Sequence, residues 1–590
     1  MLDSTTRHLT AVMLTAILGG LAQPAYPETG NACVDASAKL RHHLTANDAA
    51  ERLEVLRGFM QKTIEESGHT PLDLVGELFA DPLAIAEVPA ETRSLLPAAR
   101  PLESKLLLES PLDAIRERLD RIHGQLDTAL AGVTDEQAGR LRRLLPALLE
   151  RTSNGSDLED IENGRVLVEI QAAIDQSALE ETTALLAGLA QPEVAASLAE
   201  HFRDEPADTT PAWLEGHVAG DIIRAIQTEH GAVIVGGPGT NIYTGPAALI
   251  IDTGGDDVYV LPGGDPVRVI IDLEGNDSYN DQADGALAGS VLGASLVADH
   301  AGDDVHAGGR ITQGAAVAGI GMLHDHAGND RYFAAELAQG ASLAGIGSLV
   351  DHGGDDLYTA AKFAQGYGGA LGIGVLSDHA GNDTYLAGNK HPSSYGVAGN
   401  HQAFSQGVGM GFRNDVAGGI GVLRDRNGDD RYIAGNYSQG TGYYLGAGLL
   451  LDQDGNDTYA GGRYTQGAAA HLGVGLLRDA AGDDNYIGST SASQGGAWDL
   501  AIAALLDCAG DDGYTANEFG LGAAAQNAIA FFVDGAGKDE FTATRNAQGH
   551  SGPVDYHDGG KRIGNLAVFI SGKQVRVNAS RNGPDCIPEP

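Results

Sequence analysis

Two hydrophobic periods divide the chain. From about Val34 to Ile226, apolar residues recur at spacings of three and four, as in "LEVLRGFMQKTIEES", "PLDAIRERLDRIHGQLDTAL" and "EQAGRLRRLLPALLERT". This is the stripe of amphipathic helices. Asp113 and Asp135 stand where helices start, and Pro71, Pro111 and Pro146 punctuate. The segment reads as a helical domain, residues 34–230, whose Leu and Ile stripes form a core and which carries no catalytic motif. Near Gly231 the pattern changes to short strand-like runs, "GIGSLVD", "GIGVLSD", "GAGLLLD" and "GVGLLRD". "HGAVIVGGPGTNIYTG" at this junction lacks the Lys-Ser/Thr of a phosphate-binding loop and reads as a capping strand and turn.

The runs belong to a repeat. Its unit is D-x-x-G-[DN]-D-x-Y, then Gln-Gly, then a small or apolar strand ending in the next Asp. The first Asp falls at 252, 272, 299, 325, 351, 378, 425, 452, 479, 507 and 534. A period near 27 residues is too short for a four-stranded propeller blade and lacks the leucine-rich-repeat spacing. The expected fold is therefore α + β: a helical N-terminal domain followed by a parallel β-solenoid of about eleven coils over 231–550, with a cap and tail over 551–590. Stacked coils place equivalent residues about 4.8 Å apart. Tyr259, Tyr279, Tyr332, Tyr358, Tyr385, Tyr432, Tyr459, Tyr486 and Tyr514 become one structural column. Gln313, Gln339, Gln365, Gln406, Gln439, Gln466 and Gln494 become another.

The same stacking lines up carboxylates. Two of them about 4.8 Å apart repel by about 0.9 kcal/mol in water, and more where partly buried. Lys and Arg are sparse in these turns, so a cation is expected between them, and Ca²⁺ is suited to carboxylate and carbonyl oxygens. The alternative is Asx-type turns screened by bulk salt. His300, His326, His352 and His379 follow the first Asp in four successive coils. They read as exposed turn residues, with a transition-metal stripe as the alternative.

"AGNDTY" (380–385), "GGDDLY" (353–358) and "DGNDTY" (454–459) resemble the G-x-D-x-U half of RTX-type calcium-binding nonapeptides. That resemblance implies an aspartate binding Ca²⁺ between stacked turns and a U side chain pointing into the core. By position it assigns Asp304, Asp330, Asp356, Asp383, Asp430, Asp457, Asp484 and Asp512 as metal ligands. The likeness spans about eight residues per coil. It departs from the family in having Asp for the first Gly and no tandem nonapeptides.

Function is expected where the repeat breaks its rule. Five residues past the Gln position, early coils hold Ala318, Ala344 and Ala370, whereas later coils hold Tyr444, His471, Asp499 and Gln526. Tyr443 and Trp498 come one residue earlier, and an insertion carrying Lys390, His401 and Arg413 lies just upstream. His471, Tyr444 and Asp499 are the candidate acid/base residues. Tyr443, Trp498, Gln526, Lys390, His401 and Arg413 are the candidate substrate contacts. The competing reading is that the column points inward and only fills a wider coil.

Charge and termini set the setting. Of 590 residues, 37 are Lys or Arg and 80 are Asp or Glu, a net charge of −43. This disfavours nucleic acid and anionic membrane as partners. Residues 1–25 read as a signal peptide, with Arg7 and His8 before the apolar run Leu9–Leu21 and small residues at Ala22 and Ala25. That run is short for a membrane span. The expectation is a periplasmic or extracellular protein without stable membrane insertion. Cys33 and Cys586 are free to pair or to remain thiols. The primary expected function is binding of an extended polymer, such as a polysaccharide. A polysaccharide lyase or glycoside hydrolase, and a purely structural surface or matrix protein, are the alternatives.

Overall fold

The structure is a computed structural model. It describes residues 30–579 except 48, 89–95, 151–157, 208–209, 265, 282, 394, 396–398, 555–556, 559–560 and 573. The expected signal peptide lies outside the described residues.

A parallel β-solenoid of about ten turns spans residues 267–545, preceded by a helical region. Each coil adds a strand to a long apolar sheet, turns at the Asp motif, and adds a Tyr-bearing strand to a second sheet. It then turns at Gln and returns through a short Ala-rich strand. Register is strict: Ile346–Asp351 pairs residue for residue with Ile320–Asp325, so the first Asp of each coil sits on the last. Antiparallel strands close both ends. Ile222–Thr228 pairs with Gly231–Gly236 at the start, and Gln574–Asn578 turns back on Leu566–Ser571 at the finish. These hairpins cover sheet edges that would otherwise recruit other chains.

The Tyr column fills the interior. Successive rings stack at 4.7–5.0 Å, as between Tyr259 and Tyr279, Tyr332 and Tyr358, and Tyr459 and Tyr486. Opposite them lies an inner column that includes Val297, Leu323, Leu349, Leu376, Leu423, Leu450 and Leu477. Glycine is obligatory at the turn. A Cβ on Gly302 would sit 1.4 Å from the Gly275 carbonyl oxygen, and one on Gly428 would sit 1.5 Å from that of Gly381. The Gln residues are buried, and most span two coils. Gln339 Nε2 donates to the Tyr332 and Thr359 carbonyls, at 3.0 and 3.2 Å. Both columns are structural ladders.

The helices do not form a separate ball. They are α1 (Gly30–Ala46), α2 (Ala50–Ser67), α3 (Asp73–Ala80), α4 (Ser104–Glu109), α5 (Pro111–Leu130), α6 (Asp135–Glu150), α7 (Leu158–Ala173), α8 (Gln176–Ala187) and α9 (Pro192–Phe202). Pro146 lies inside α6 and does not end it. One continuous apolar cluster joins Leu56, Ile115 and Leu185 of these helices to Leu296, Met322, Leu476 and Phe531 on the outer face of the apolar sheet. That sheet is buried on both faces, which explains why its strands are apolar almost throughout.

The layer runs backwards along the solenoid. The Ala190 carbonyl accepts from His326 Nε2 (2.9 Å), the Leu149 carbonyl from Lys362 Nζ (2.6 Å), and the Val88 carbonyl from Arg478 (2.9 Å). Lys39 Nζ reaches the Gly535 carbonyl at 2.6 Å, and Arg52 donates to the Ile563 carbonyl. Early helices thus clamp late coils, and late helices clamp early coils. Cys508 is disulfide-bonded. Cys586 and the side chain of Cys33 lie outside the described residues.

The histidine row requires a correction. His300, His326 and His352 are not exposed turn residues. They are half-buried, with rings stacked at 4.4 and 4.6 Å, and His326 contacts the helical layer directly. Burial holds His300 near pKa 3 and His352 near 4, so both are neutral at physiological pH.

Candidate functional site

The Asp motif builds two parallel ladders one residue apart. In the inner ladder, the second Asp of each coil accepts the backbone N–H of its counterpart one coil back. Asp304 N donates to Asp330 Oδ1 (2.6 Å), Asp330 N to Asp356 (2.6 Å), Asp356 N to Asp383 (2.7 Å) and Asp430 N to Asp457 (2.6 Å). The ladder continues through Asp484 to Asp512. The first Asp of each coil joins it from inside. In several coils its Oδ1 caps its own turn, as Asp351 does for Gly353 N (3.1 Å), whereas Oδ1 of Asp325, Asp425, Asp452 and Asp507 has no partner; Oδ2 commonly accepts from a Tyr hydroxyl one coil back, as from Tyr358 to Asp378 (2.7 Å). All eight predicted ligand aspartates are buried, and in every one Oδ2 lacks a hydrogen-bond partner.

Each second aspartate lies close to the first aspartates on either side. Carboxylate oxygens of Asp325, Asp330 and Asp351 lie within 4.8 Å of one another, as do those of Asp351, Asp356 and Asp378, and of Asp272, Asp277 and Asp299. Burial first, then neighbouring carboxylates, push Asp356 up to about 9 and Asp457 up to about 12. The first-Asp row is also raised, with Asp299 and Asp452 at about 7, chiefly by burial. Such a site asks for positive charge. Each group includes a buried Oδ2 without a partner, and such an all-oxygen set fits the hard, oxygen-seeking Ca²⁺. Asp330, Asp356 and Asp383, each with the first aspartates on either side, are the residues that would hold it.

The outer ladder, one residue earlier, is exposed and alternates: Asp256, Asn276, Asp303, Asn329, Asp355, Asn382, Asp429, Asn456, Asp483. Each side chain accepts the next coil's backbone N–H, as Asp303 Oδ1 does from Asn329 N (2.8 Å) and Asn329 Oδ1 from Asp355 N (2.9 Å). Every second rung is an amide that also donates to its acidic neighbour, as Asn382 Nδ2 does to Asp355 Oδ1 (2.9 Å). These bonds hold Asp303 and Asp355 below the usual carboxylate range. Where two acids are consecutive, at Asp483 and Asp511, the next rung is Lys538.

The polar column forms as the spacing requires. Tyr443 pairs with Ala470, and Ala470 with Trp498, which stacks Tyr444, His471, Asp499 and Gln526 on successive coils. All four have positive φ, from 39° to 60°, but so do Ala318 and Ala344, so this conformation belongs to the coil corner and not to the site. The column does not stand open to solvent. Tyr444, Asp499 and Gln526 are 5–7% exposed, Tyr444 beneath His69 of the helical layer and Asp499 beneath Arg413 of the insertion.

His471 Nδ1 contacts Asp499 Oδ2, and Arg413 Nη2 reaches the same oxygen at 3.5 Å. The Tyr443 ring lies edge-on to His471, with centroids 5.2 Å apart. Arg413 is exposed and His471 partly so, which places them at the mouth of this group. Trp498 packs on Phe519 in the next coil. Lys390 is exposed and groups with His391, Lys362 and Glu336, while His401 lies in the hairpin strand His401–Ser405 paired with His391–Pro392. Neither belongs to the His471 group.

Sequence reading missed several neighbours. His69, from the helical layer, shares a hydrogen bond with the Tyr444 hydroxyl (2.9 Å). Arg463 lies over the rings of Tyr395 (4.3 Å) and Tyr464 (5.0 Å), and Tyr395 bonds to Tyr437 through their hydroxyls. The aromatic series Phe404, Tyr437 and Tyr464, two residues before each Gln, was the available signal. Comparison with known proteins adds no relative: no family model, no curated protein and no solved structure matches the chain.

Proposed function

We propose that the chain is an exported, calcium-stabilised solenoid that binds an extended acidic polymer, most simply a polysaccharide, beside its later coils. The observation that carries the binding reading is the mouth at His471. In a chain of net charge −43, Arg413 and His471 converge there on Asp499, with Arg463 nearby over the half-buried Tyr395 and the buried Tyr464. Guanidinium groups pair with carboxylates, and the partly exposed rings of Tyr395 and Trp498 are the aromatic faces on offer to a sugar ring. Calcium in the inner ladder would stiffen the support by removing carboxylate repulsion between coils.

A second reading is a polysaccharide lyase or glycoside hydrolase, favoured by the contact between His471 Nδ1 and Asp499. A carboxylate on Nδ1 orients the ring and leaves Nε2 as the proton-transferring atom. Arg413 would then neutralise a substrate carboxylate, with the Tyr444 hydroxyl as the second acid/base group. A purely structural surface role remains the third reading and needs no ligand at this mouth.

Retention on a panel of acidic and neutral glycans tests the proposal, with product formation followed by unsaturated-uronate absorbance and reducing ends. The wild type retains an acidic glycan, and Arg413→Ala weakens retention by tenfold or more with an unchanged melt. Turnover that disappears in His471→Ala selects the enzyme. A wild type that retains no glycan overturns the binding reading.

A further inference from the structure

One coil breaks the Tyr column from within. Where its neighbours hold Tyr279 and Tyr332, this coil holds His306, stacked between them at 4.5 and 4.9 Å. It is 2% exposed. A phenol in this column reaches the first Asp of the next coil, as Tyr358 reaches Asp378 at 2.7 Å. The shorter imidazole does not. His306 Nε2 stops 3.6 Å from Asp325 Oδ2 and has no hydrogen-bond partner.

Three buried ligand atoms meet at this gap. A ring nitrogen of His306 and carboxylate oxygens of Asp304 and Asp325 lie within 4.8 Å of one another. Asp304 Oδ2 and Asp325 Oδ1 also lack partners. A small internal cavity, about 10 Å³, borders His306, Tyr279, Thr312 and Gln313. That is about the smallest space that admits one water. The 3.6 Å separation is too long for a hydrogen bond, yet close to the edge, about 3.4 Å, of a tetrahedron with 2.0–2.1 Å bonds.

We infer that His306, Asp304 and Asp325 form a single buried transition-metal site, of a kind suited to Zn²⁺, with a water as fourth ligand as in three-ligand zinc sites. The imidazole distinguishes this coil from the all-oxygen sites of the rest of the ladder, because nitrogen ligation favours zinc over calcium. The supporting shell is present. Asp304 Oδ1 accepts from Asp277 N (2.5 Å), and Asp325 Oδ2 from the Tyr332 hydroxyl (3.1 Å), which fixes both carboxylates. Burial otherwise leaves His306 neutral, with a pKa near 3, so the free nitrogen is a lone pair and not a charge. This inference does not depend on the calcium ladder or on the glycan reading.

The test is the metal content of the full chain purified from zinc-supplemented cells. One zinc per chain is expected in the wild type and none in His306→Tyr, which restores the residue of neighbouring coils, or in His306→Phe, should the tyrosine variant not fold. Cobalt-loaded wild type should also show the visible absorption of tetrahedral Co²⁺, and lose it when zinc is added. A zinc-free wild type, or a zinc content unchanged in the folded variant, overturns the site. The calcium response of the melt, read on the same samples, separates the two metal readings. Its absence in both proteins sinks the calcium ladder and leaves the zinc result standing.

Discussion

The two Asp ladders run side by side, use the same backbone bond, and solve like-charge repulsion in opposite ways. The outer ladder replaces every second acid with Asn and stays in water. The inner ladder keeps Asp in every coil and is buried. Asn would serve the inner bond equally well, since the amide oxygen accepts the same N–H. The neighbouring column shows that this exchange is compatible with the turn. Hydrogen bonding alone therefore does not account for the inner acids. What they retain over Asn is the capacity to hold a cation or a proton.

pH should have the largest effect, measured on the full chain in chelator. A group whose folded pKa is raised stabilises the fold below its unfolded value, and that stability is lost as pH rises towards the folded value. With Asp330 and Asp484 at about 8, Asp356 at about 9 and Asp304 at about 10, metal-free stability should fall steadily from pH 7 to pH 9. The histidines oppose this trend only near pH 7, where about a quarter of those in the unfolded chain are still charged, and they drop out by pH 8. A melt that is flat over that range breaks the contrast between the ladders.

Single rungs should differ next. Asp383→Ala leaves the buried Asp356 amide unpaired and should cost about 1–3 kcal/mol in denaturant unfolding. Asn382→Ala, in the exposed ladder, should stay within about 0.5 kcal/mol. Equal effects would mean that burial does not distinguish the two columns. The smallest expected change is Asn329→Asp, which places three acids in a row between Asp303 and Asp355. It should lower the melt slightly at low salt and recover in high salt, because exposed charges are screened.

The solenoid was legible because its period, turn glycines and Tyr spacing are local and repeated. Register then followed, since a one-residue slip would turn Tyr432 and Tyr459 out of the core. The helical packing was not legible. Helical stripes report a buried face without naming its partner, so nothing in "EQAGRLRRLLPALLERT" announces that the Leu149 carbonyl meets Lys362. The same cover reaches Tyr444 through His69, and Tyr444 and Asp499 are largely enclosed, closer to the inward alternative than to an open column. His306 was visible as a break in the Tyr series, but its significance depends on the reach of a phenol compared with an imidazole. That difference appears only once the coils are stacked.

The most direct test of calcium in the inner ladder is the melting temperature of the full chain at pH 8 as free Ca²⁺ is raised from chelator to millimolar. At this pH protons no longer compensate every inner carboxylate. A site held at a hundred times its dissociation constant adds about 2.7 kcal/mol, and several such sites should raise the melt by many degrees. Asp383→Asn, which keeps an oxygen acceptor but removes a charge, should blunt the rise. A melting temperature that does not change with Ca²⁺ would contradict the account and leave protons, not calcium, as what neutralises the buried acids.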